Sequence, residues 1–369
     1  MTQAQASRNQ GPTPAQSYAA FRRATQQNQY LNQNMIFSQF GQLQTLQLPQ
    51  TGYLGRIWLY FTGTITTGAG TPAGSWASYP PMPYNLIKKI RVYTSEGVEI
   101  VNISGWGLYL LNMRKESTPN MAGNVFAYLN SNTATALYQT VTPGATPAAS
   151  TAYTLSGCLE VPIVTDDVMM YGLINTQTND VRVYMDITWC NQSDTGSVSG
   201  VTLTPAFTVY PQIEFYLVPG DSAAQPVLSY VHSLYEEYFP FTTVGDIIYR
   251  PTPGNIYMSL SGIVENNGAQ VAPTNINTVK VVYAQGVSPF YEQYLNNIQR
   301  LKRTIGITPP DGYFSYSFDY GNSDPTQADP RDWLNTAAQT DLQFVINVTG
   351  ITPASAQLRC IREQLSRIG

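Results

Sequence analysis

GRIWLYFTGTI (55–65) and GNIYMSLSGIV (254–264) are two writings of one strand. Gly55, Ile57 and Gly63 fall on Gly254, Ile256 and Gly262, with Trp58 on Tyr257 and Phe61 on Leu260. Outward from that strand the match continues in order. Asn85, Val92 and Tyr93 meet Asn275, Val282 and Tyr283, and Ser104, Trp106, Leu111 and Asn112 meet Ser288, Phe290, Leu295 and Asn296. DVRVYMDIT (180–188) then meets DLQFVINVT (341–349), apolar over apolar at alternate positions. Elements that recur in one order mark a duplicated unit, and a duplication decides architecture before local propensity does.

Each copy is β-rich. LQTLQL (43–48), YLGRIWLYFTGTI (53–65), LIKKIRVY (86–93), VEIVNI (98–103), LEVPIV (159–164), VRVYMDITW (181–189) and FTVYPQIEFYLV (207–218) are runs of Val, Ile, Tyr, Phe and Thr broken by Gly, Pro, Asn and Ser. That is the pattern of a sandwich. SGWGLYLLNMRKES (104–117) reads as the one helix among them. After PGDSAAQP (219–226), which reads as a linker, strands resume over 234–241, 245–250, 254–264, 277–283, 312–320 and 341–350, with a helix at 288–303 and a last element at 356–365. The fold class expected is all-β: two tandem eight-stranded jelly rolls, a helix inserted in each, and an N-terminal helix in front. The expected division is 1–38 for an N-terminal arm and amphipathic helix, 39–222 for the first jelly roll and 223–369 for the second. Loops 66–84 and 118–156 are expected to project together from one end.

In 369 residues only 11% are charged, against about 25% in ordinary soluble domains, while 26 are Tyr. A surface poor in charge and rich in Tyr and amides is one built to meet protein. The net charge of −4 removes sequence-specific or phosphate-driven nucleic-acid binding from the expected functions. Charge is unevenly placed. No Asp or Glu precedes Glu96, whereas Arg8, Arg22, Arg23, Arg56, Lys88, Lys89 and Arg91 do, and Arg359, Arg362 and Arg367 surround Glu363 near the end. Both terminal regions are expected to face something anionic.

From Pro14, PAQSYAAFRRATQQNQYLNQNMIFSQF reads as one amphipathic helix without acidic residues. Tyr18, Phe21, Arg22, Arg23, Tyr30 and Leu31 are the candidate contact residues. Two roles stay open for them: capping the core or gripping a neighbouring subunit, and lying on an anionic membrane surface.

Catalytic chemistry is hard to build here. His232 is alone, so no His-based metal cage or His-bearing triad is available, and a structural role is expected of it. Glu236 and Glu237 are adjacent in an extended run and point to opposite faces, so they do not make the carboxylate pair a glycosidase needs. Asp166 and Asp167 read as caps of the turn that follows, and GNSDPTQADPRD (321–332) lacks calcium-loop spacing. Cys158, Cys190 and Cys360 are odd in number and lack CxxC spacing, which favours buried thiols. No cofactor, metal or catalytic residue is expected. The opening MTQAQASRNQGPTPAQ has no charged region followed by an apolar one, so synthesis and folding in a cytoplasm are expected.

ISGWGLYLLN (103–112), with its Ser-Gly-Trp entry to a helix, and LEVPIVTDDVMMYGLINTQTNDVRVYMDI (159–187) are similar to the corresponding segments of the double jelly-roll major capsid proteins of tectivirus-like bacteriophages. Those viruses carry double-stranded DNA inside an internal membrane. The resemblance implies a virion protein without enzymatic activity: a homotrimer forming a pseudo-hexagonal capsomer that meets neighbouring capsomers and penton, spike or minor capsid proteins. It also implies an N-terminal helix near the lipids of the viral inner membrane. On that view, removal of residues 1–38 is expected to spare the trimer and stop shell closure. Two other functions fit the same fold: a tandem jelly-roll carbohydrate-active or glycan-binding protein, and a phage spike or receptor-binding component.

Overall fold

The computed structural model describes residues 14–76, 82–115, 146–165, 170–177, 181–226, 228–283, 287–305, 309–318, 333–339 and 341–367. The turn holding Asp166 and Asp167, the stretch 321–332, and most of loop 118–156 lie outside them. In chain order the first half carries α1 (Pro14–Ala24), β1 (Gln27–Leu31), β2 (Met35–Phe37), β3 (Leu43–Gln47), β4 (Tyr53–Thr67), β5 (Ile87–Thr94), β6 (Glu99–Ile103), α2 (Gly105–Lys115), β7 (Ala152–Pro162), β8 (Ile174–Asn175), β9 (Val183–Trp189) and β10 (Leu203–Tyr216). The second half carries β11 (Tyr230–Pro240), β12 (Gly245–Tyr249), β13 (Ile256–Asn266), β14 (Ala269–Gln270), β15 (Ile276–Tyr283), β16 (Val287–Gln293), α3 (Tyr294–Ile305), β17 (Tyr313–Ser317), β18 (Leu334–Asn335), β19 (Leu342–Val348) and β20 (Gln357–Arg367).

Alternation makes the first sandwich. Along β4, Ile57, Leu59, Phe61 and Ile65 are buried while Trp58, Tyr60, Thr62 and Thr64 lie on the other face, as a strand with one face in a core requires. β4 sits between β10 and β7, with β1 and β2 on the far side of β10. The facing sheet runs β3-β9-β5-β6. Between them, Trp189 stacks on Phe37 at 4.8 Å and packs against Phe207 at 4.9 Å.

The second half repeats the plan strand for strand. β13 lies between β20 and β17, and β11 flanks β20; the facing sheet runs β12-β19-β15-β16. Its core joins Tyr257, Leu260, Phe314, Val281 and Phe344. With β1 and β2 counted as one broken strand, each sandwich has eight principal strands among the described residues, and each helix, α2 or α3, follows the fifth. The two units join through sheet: β11 pairs in parallel with β6, Leu234 opposite Val101 and Tyr235 opposite Asn102.

The repeated glycines have a common cause. A Cβ on Gly63 would stand 2.2 Å from the Ala206 carbonyl oxygen, and one on Gly262 would stand 2.8 Å from the Arg359 carbonyl oxygen. Ala206 and Arg359 occupy matching places on β10 and β20, so the same backbone approach is made twice. Gly63→Ala and Gly262→Ala are each expected to lower stability by about 1–3 kcal/mol through overpacking. Gly220→Ala, with open space around its Cβ, is the neutral control. Urea unfolding midpoints measure all three, and equal midpoints would contradict the close approach.

Two expected helices end differently. The helix read from Pro14 to Phe40 stops at Ala24, and residues 27–37 add β1 and β2 to the free edge of β10. QNQYLNQN has no apolar stripe to hold a helix on a core, whereas the edge of β10 offers unpaired backbone groups that a strand satisfies. Residues 27–37 therefore belong to the first sandwich rather than to an arm ending at 38. Likewise 288–293 are strand, with Phe290 opposite Val281 and Tyr291 opposite Lys280, and the helix expected at 288–303 begins at Tyr294.

Candidate assembly surfaces and the joint between the sandwiches

The joint is built on the Ser-Gly-Trp-Gly entry to α2. Ser104 caps the helix: its Oγ accepts from the Gly107 N–H at 3.0 Å. Gly105 lets the chain pass the Tyr84 carbonyl, from which a Cβ would be only 2.6 Å away. Trp106 fills the core. Gly107 leaves room for Glu236 of β11, whose carboxylate carbon a Cβ would meet at 2.9 Å. Glu236 accepts from the Ser104 backbone N–H and from its Oγ at 3.0 Å, so a carboxylate of the second sandwich sits on the positive end of the first sandwich's helix.

Arg359 of β20 completes this end. It donates to Glu236 at 2.7 Å and Glu265 at 2.8 Å, with the side chains of Arg359 and Glu236 only 5% and 3% exposed. Its guanidinium also lies 4.8 Å from the centre of the Tyr238 ring. At the other end of α2, Arg114 pairs with Glu363, which also accepts from Ser259 at 3.0 Å and meets His232 Nε2 at 3.1 Å. His232 Nδ1 lies 3.2 Å from the Ile163 carbonyl. Tyr313 donates to the Leu110 carbonyl at 3.5 Å between the two ends. Ile263, Tyr313 and Ile361 of the second sandwich are continuous with the first sandwich's core.

This ionic network was hidden in the sequence. The basic run Arg359, Arg362 and Arg367 reads as a surface for an anion, yet Arg359 and Arg362 are buried. Arg362 pairs with Glu237, which accepts from Tyr249 at 2.6 Å. One signal was available: β20 places Arg, Glu and Gln inside an otherwise apolar strand at positions where a sheet has two covered faces. Glu236 and Glu237 do point to opposite sides, the first to Ser104 and the second to Tyr249 and Arg362.

The six candidate contact residues divide. Tyr18 and Phe21 are buried within the chain: Tyr18 meets Tyr171 at 5.2 Å, and Phe21 meets Tyr53 at 5.2 Å and Tyr216 at 6.0 Å. They plug a seam that also holds Trp333, so they are not presented to lipid or to a neighbour. Helical spacing marks a covered face without saying what covers it. Arg22 and Arg23, in the last turn of α1, and Tyr30 and Leu31 on β1 are exposed.

Both helices grip their sandwich in one way. Asn112 of α2 donates to the Glu160 carbonyl at 2.8 Å and accepts from its N–H at 2.9 Å. Asn297 of α3 donates to the Ser315 carbonyl at 3.1 Å and accepts from its N–H at 3.1 Å. By side-chain role the partner of Asn112 in the repeat is thus Asn297, one residue beyond the sequence match, although by strand register Ser315 corresponds to Ser156 rather than to Glu160. On that frame Leu110, Leu111 and Arg114, on the face of α2 turned to the second sandwich, correspond to Leu295, Asn296 and Gln299 of α3, which are exposed; Leu295 is 59% exposed.

The sheets show the same asymmetry. Ser259, Ser261, Arg359, Ile361 and Glu363 are buried in the joint. Their counterparts by register are Tyr60, Thr62, Ala206, Thr208 and Tyr210, on the uncovered face of the first sandwich. Leu31 and Ile36 extend that face at its edge, 63% and 61% exposed.

Among the described residues no three His, Cys, Asp or Glu side chains are grouped to hold a metal, and no helix is long and apolar enough to cross a membrane. No disulfide links the cysteines; burial pushes the thiols of Cys190 and Cys360 well above their usual range. In sequence, no protein-family model and no curated protein matches the chain. Solved structures do. A chain of Sulfolobus turreted icosahedral virus is 14% identical with a TM-score of 0.67, covering 92% of this chain and 91% of that one. VP54 of PBCV-1 is 11% identical at 0.63, covering 92% and 94%, and the major capsid protein of bacteriophage PM2 is 12% identical at 0.51, covering 91% and 98%. The chain has the fold of the double jelly-roll capsid proteins.

Proposed function

We propose that this chain is a major capsid protein, a non-enzymatic virion component that assembles with further copies of itself into an icosahedral shell. The observation that carries the reading is one joint filled and one left open. Within the chain, the α2 face is covered by the sheet of the second sandwich; the equivalent α3 face and the equivalent sheet face of the first sandwich are both uncovered. A surface and its complement on different parts of one molecule associate head to tail, and such contacts close into a ring when the rotation permits. Two sandwiches per chain, related by one kind of joint, make three chains the closing number for a six-sandwich ring. The open sheet face suits burial, since its described charged residues, Arg56, Glu160 and Glu214, pair among themselves at one end.

The finer reading follows the resemblance. In a homotrimeric capsomer of a tectivirus-like bacteriophage, Arg22 and Arg23 would meet the anionic lipids of an inner membrane, and neighbouring capsomers and penton, spike or minor capsid proteins would be the remaining partners. The proposed division places the two jelly rolls on either side of the turn at 219–226 and keeps an arm only ahead of α1.

Sedimentation of the purified full chain tests the reading. The expected particle has three times the 40.7 kDa chain mass. Thr62→Arg, at the centre of the open face, is expected to weaken association by about 100-fold or more with the circular dichroism spectrum unchanged, because a charge would be buried unpaired. A wild-type chain that stays monomeric at all concentrations, or an undiminished trimer of the variant, would overturn it.

A further inference from the structure

Resting on that reading of self-association, we propose that charge distinguishes the chain's two joints: the joint within the chain is ionic, the joint between copies lacks charge at the positions that match those ion pairs, and this decides which helix each sheet face accepts. The partner is a second copy of this chain, presenting α3 to the open face of the first sandwich.

The argument compares matched positions. Inside the chain, Arg114 of α2 meets Glu363 of β20, and Glu236 and Glu265 share Arg359. In the open joint the position of Arg114 is taken by Gln299, that of Glu363 by Tyr210 and that of Arg359 by Ala206. Of the charges that α3 and its approach strand carry, Glu292 and Arg300 are turned to each other, while Arg303 is exposed one turn beyond Gln299. Glu292 accepts from Arg300 at 3.0 Å and from Asn297 at 2.7 Å, and the outward side chains of the first two turns are Leu295, Asn296 and Gln299.

Exchange of the faces is therefore penalised in both directions. Docking α2 on the open face would bury Arg114 opposite Tyr210, a cation without its carboxylate; docking α3 on the face of the second sandwich would place Gln299 where Glu363 now meets Arg114, leaving Glu363 to Ser259 and His232 alone. Two similar folds in one chain face the hazard of pairing like with like, and a buried charge that loses its ion-pair partner in each wrong arrangement is an effective guard. At the matched positions the correct intermolecular contact pairs amide and apolar groups with hydroxyls and rings, so these positions are expected to add little salt dependence to its affinity.

A charge exchange on the full chain tests this. Gln299→Arg gives α3 the charge of α2 at an exposed site. It is expected to weaken association at least about 100-fold by sedimentation or native mass spectrometry, with the unfolding midpoint of the monomer unchanged. Adding Tyr210→Glu, which copies Glu363, is expected to recover most of that loss and to make the recovered association sensitive to sodium chloride between 0.05 and 1 M, about the range over which screening changes. Tyr210→Glu alone is expected to weaken association. Association unaffected by Gln299→Arg, or a double variant no better than the single one, would overturn the charge assignment while leaving self-association intact. A wild-type chain that never associates would instead overturn the reading beneath it.

Discussion

Arg359→Met is expected to destabilise the protein by about 3–5 kcal/mol, the cost of breaking a buried ion pair from one side. The size follows from what remains. Glu236 and Glu265 are held 2.7 and 2.8 Å from the same guanidinium, and without it two buried carboxylates face each other across the space it filled. Glu236 would keep the Ser104 N–H and hydroxyl, which softens its loss; Gln357 still donates to Glu265 at 2.5 Å. The control is the triple variant Glu236→Gln, Arg359→Met, Glu265→Gln. Removing all three charges together is expected to recover most of the stability, because the penalty lies in stranded charge rather than in lost attraction. Urea unfolding followed by tryptophan fluorescence separates the cases. A triple variant as unstable as the single one would mean that the ion pairs themselves hold the joint.

Phe21→Ala is the second large effect, expected at about 3–5 kcal/mol for a fully buried aromatic ring cut to a methyl group. Phe21 is covered by Tyr53 and Tyr216, and its neighbour Tyr18 reaches Tyr171, so the ring seals α1 onto the first sandwich. Arg22→Ala and Arg23→Ala, both exposed, are expected to leave stability within about 0.5 kcal/mol. Thermal unfolding of the three variants checks the contrast, and equal loss from Phe21→Ala and Arg22→Ala would remove α1 from the core. The same packing changes what a truncation reports. Removal of residues 1–38 takes away α1, β1 and β2 and with them Tyr18, Phe21, Met35 and Phe37, all buried, so it is expected to unfold the first sandwich rather than to spare a trimer. Truncation at residue 13 isolates the arm.

These effects also mark where sequence reading reached its limit. Ser104 was legible as a helix entry, but the reason for Gly107 was not, because the group it makes room for comes from Glu236, 129 positions on. Tyr18 and Phe21 were legible as one helical face; whether that face met lipid, a neighbour or its own chain depended on Tyr53, Tyr171 and Tyr216, distant in sequence. Arg359 and Arg362 read as a basic surface because a count of charges carries no information about burial.

What the amino-acid order determined by itself was the doubled plan: strand alternation is a period-two signal, a repeated glycine records a repeated backbone approach, and both survive in a single chain read locally. What only the tertiary structure decided was which faces are already occupied. Covering a face needs residues from the other half of the chain, and the pairings of Arg114 with Glu363 and of Glu236 with Ser104 and Arg359 come into being only when the two sandwiches meet.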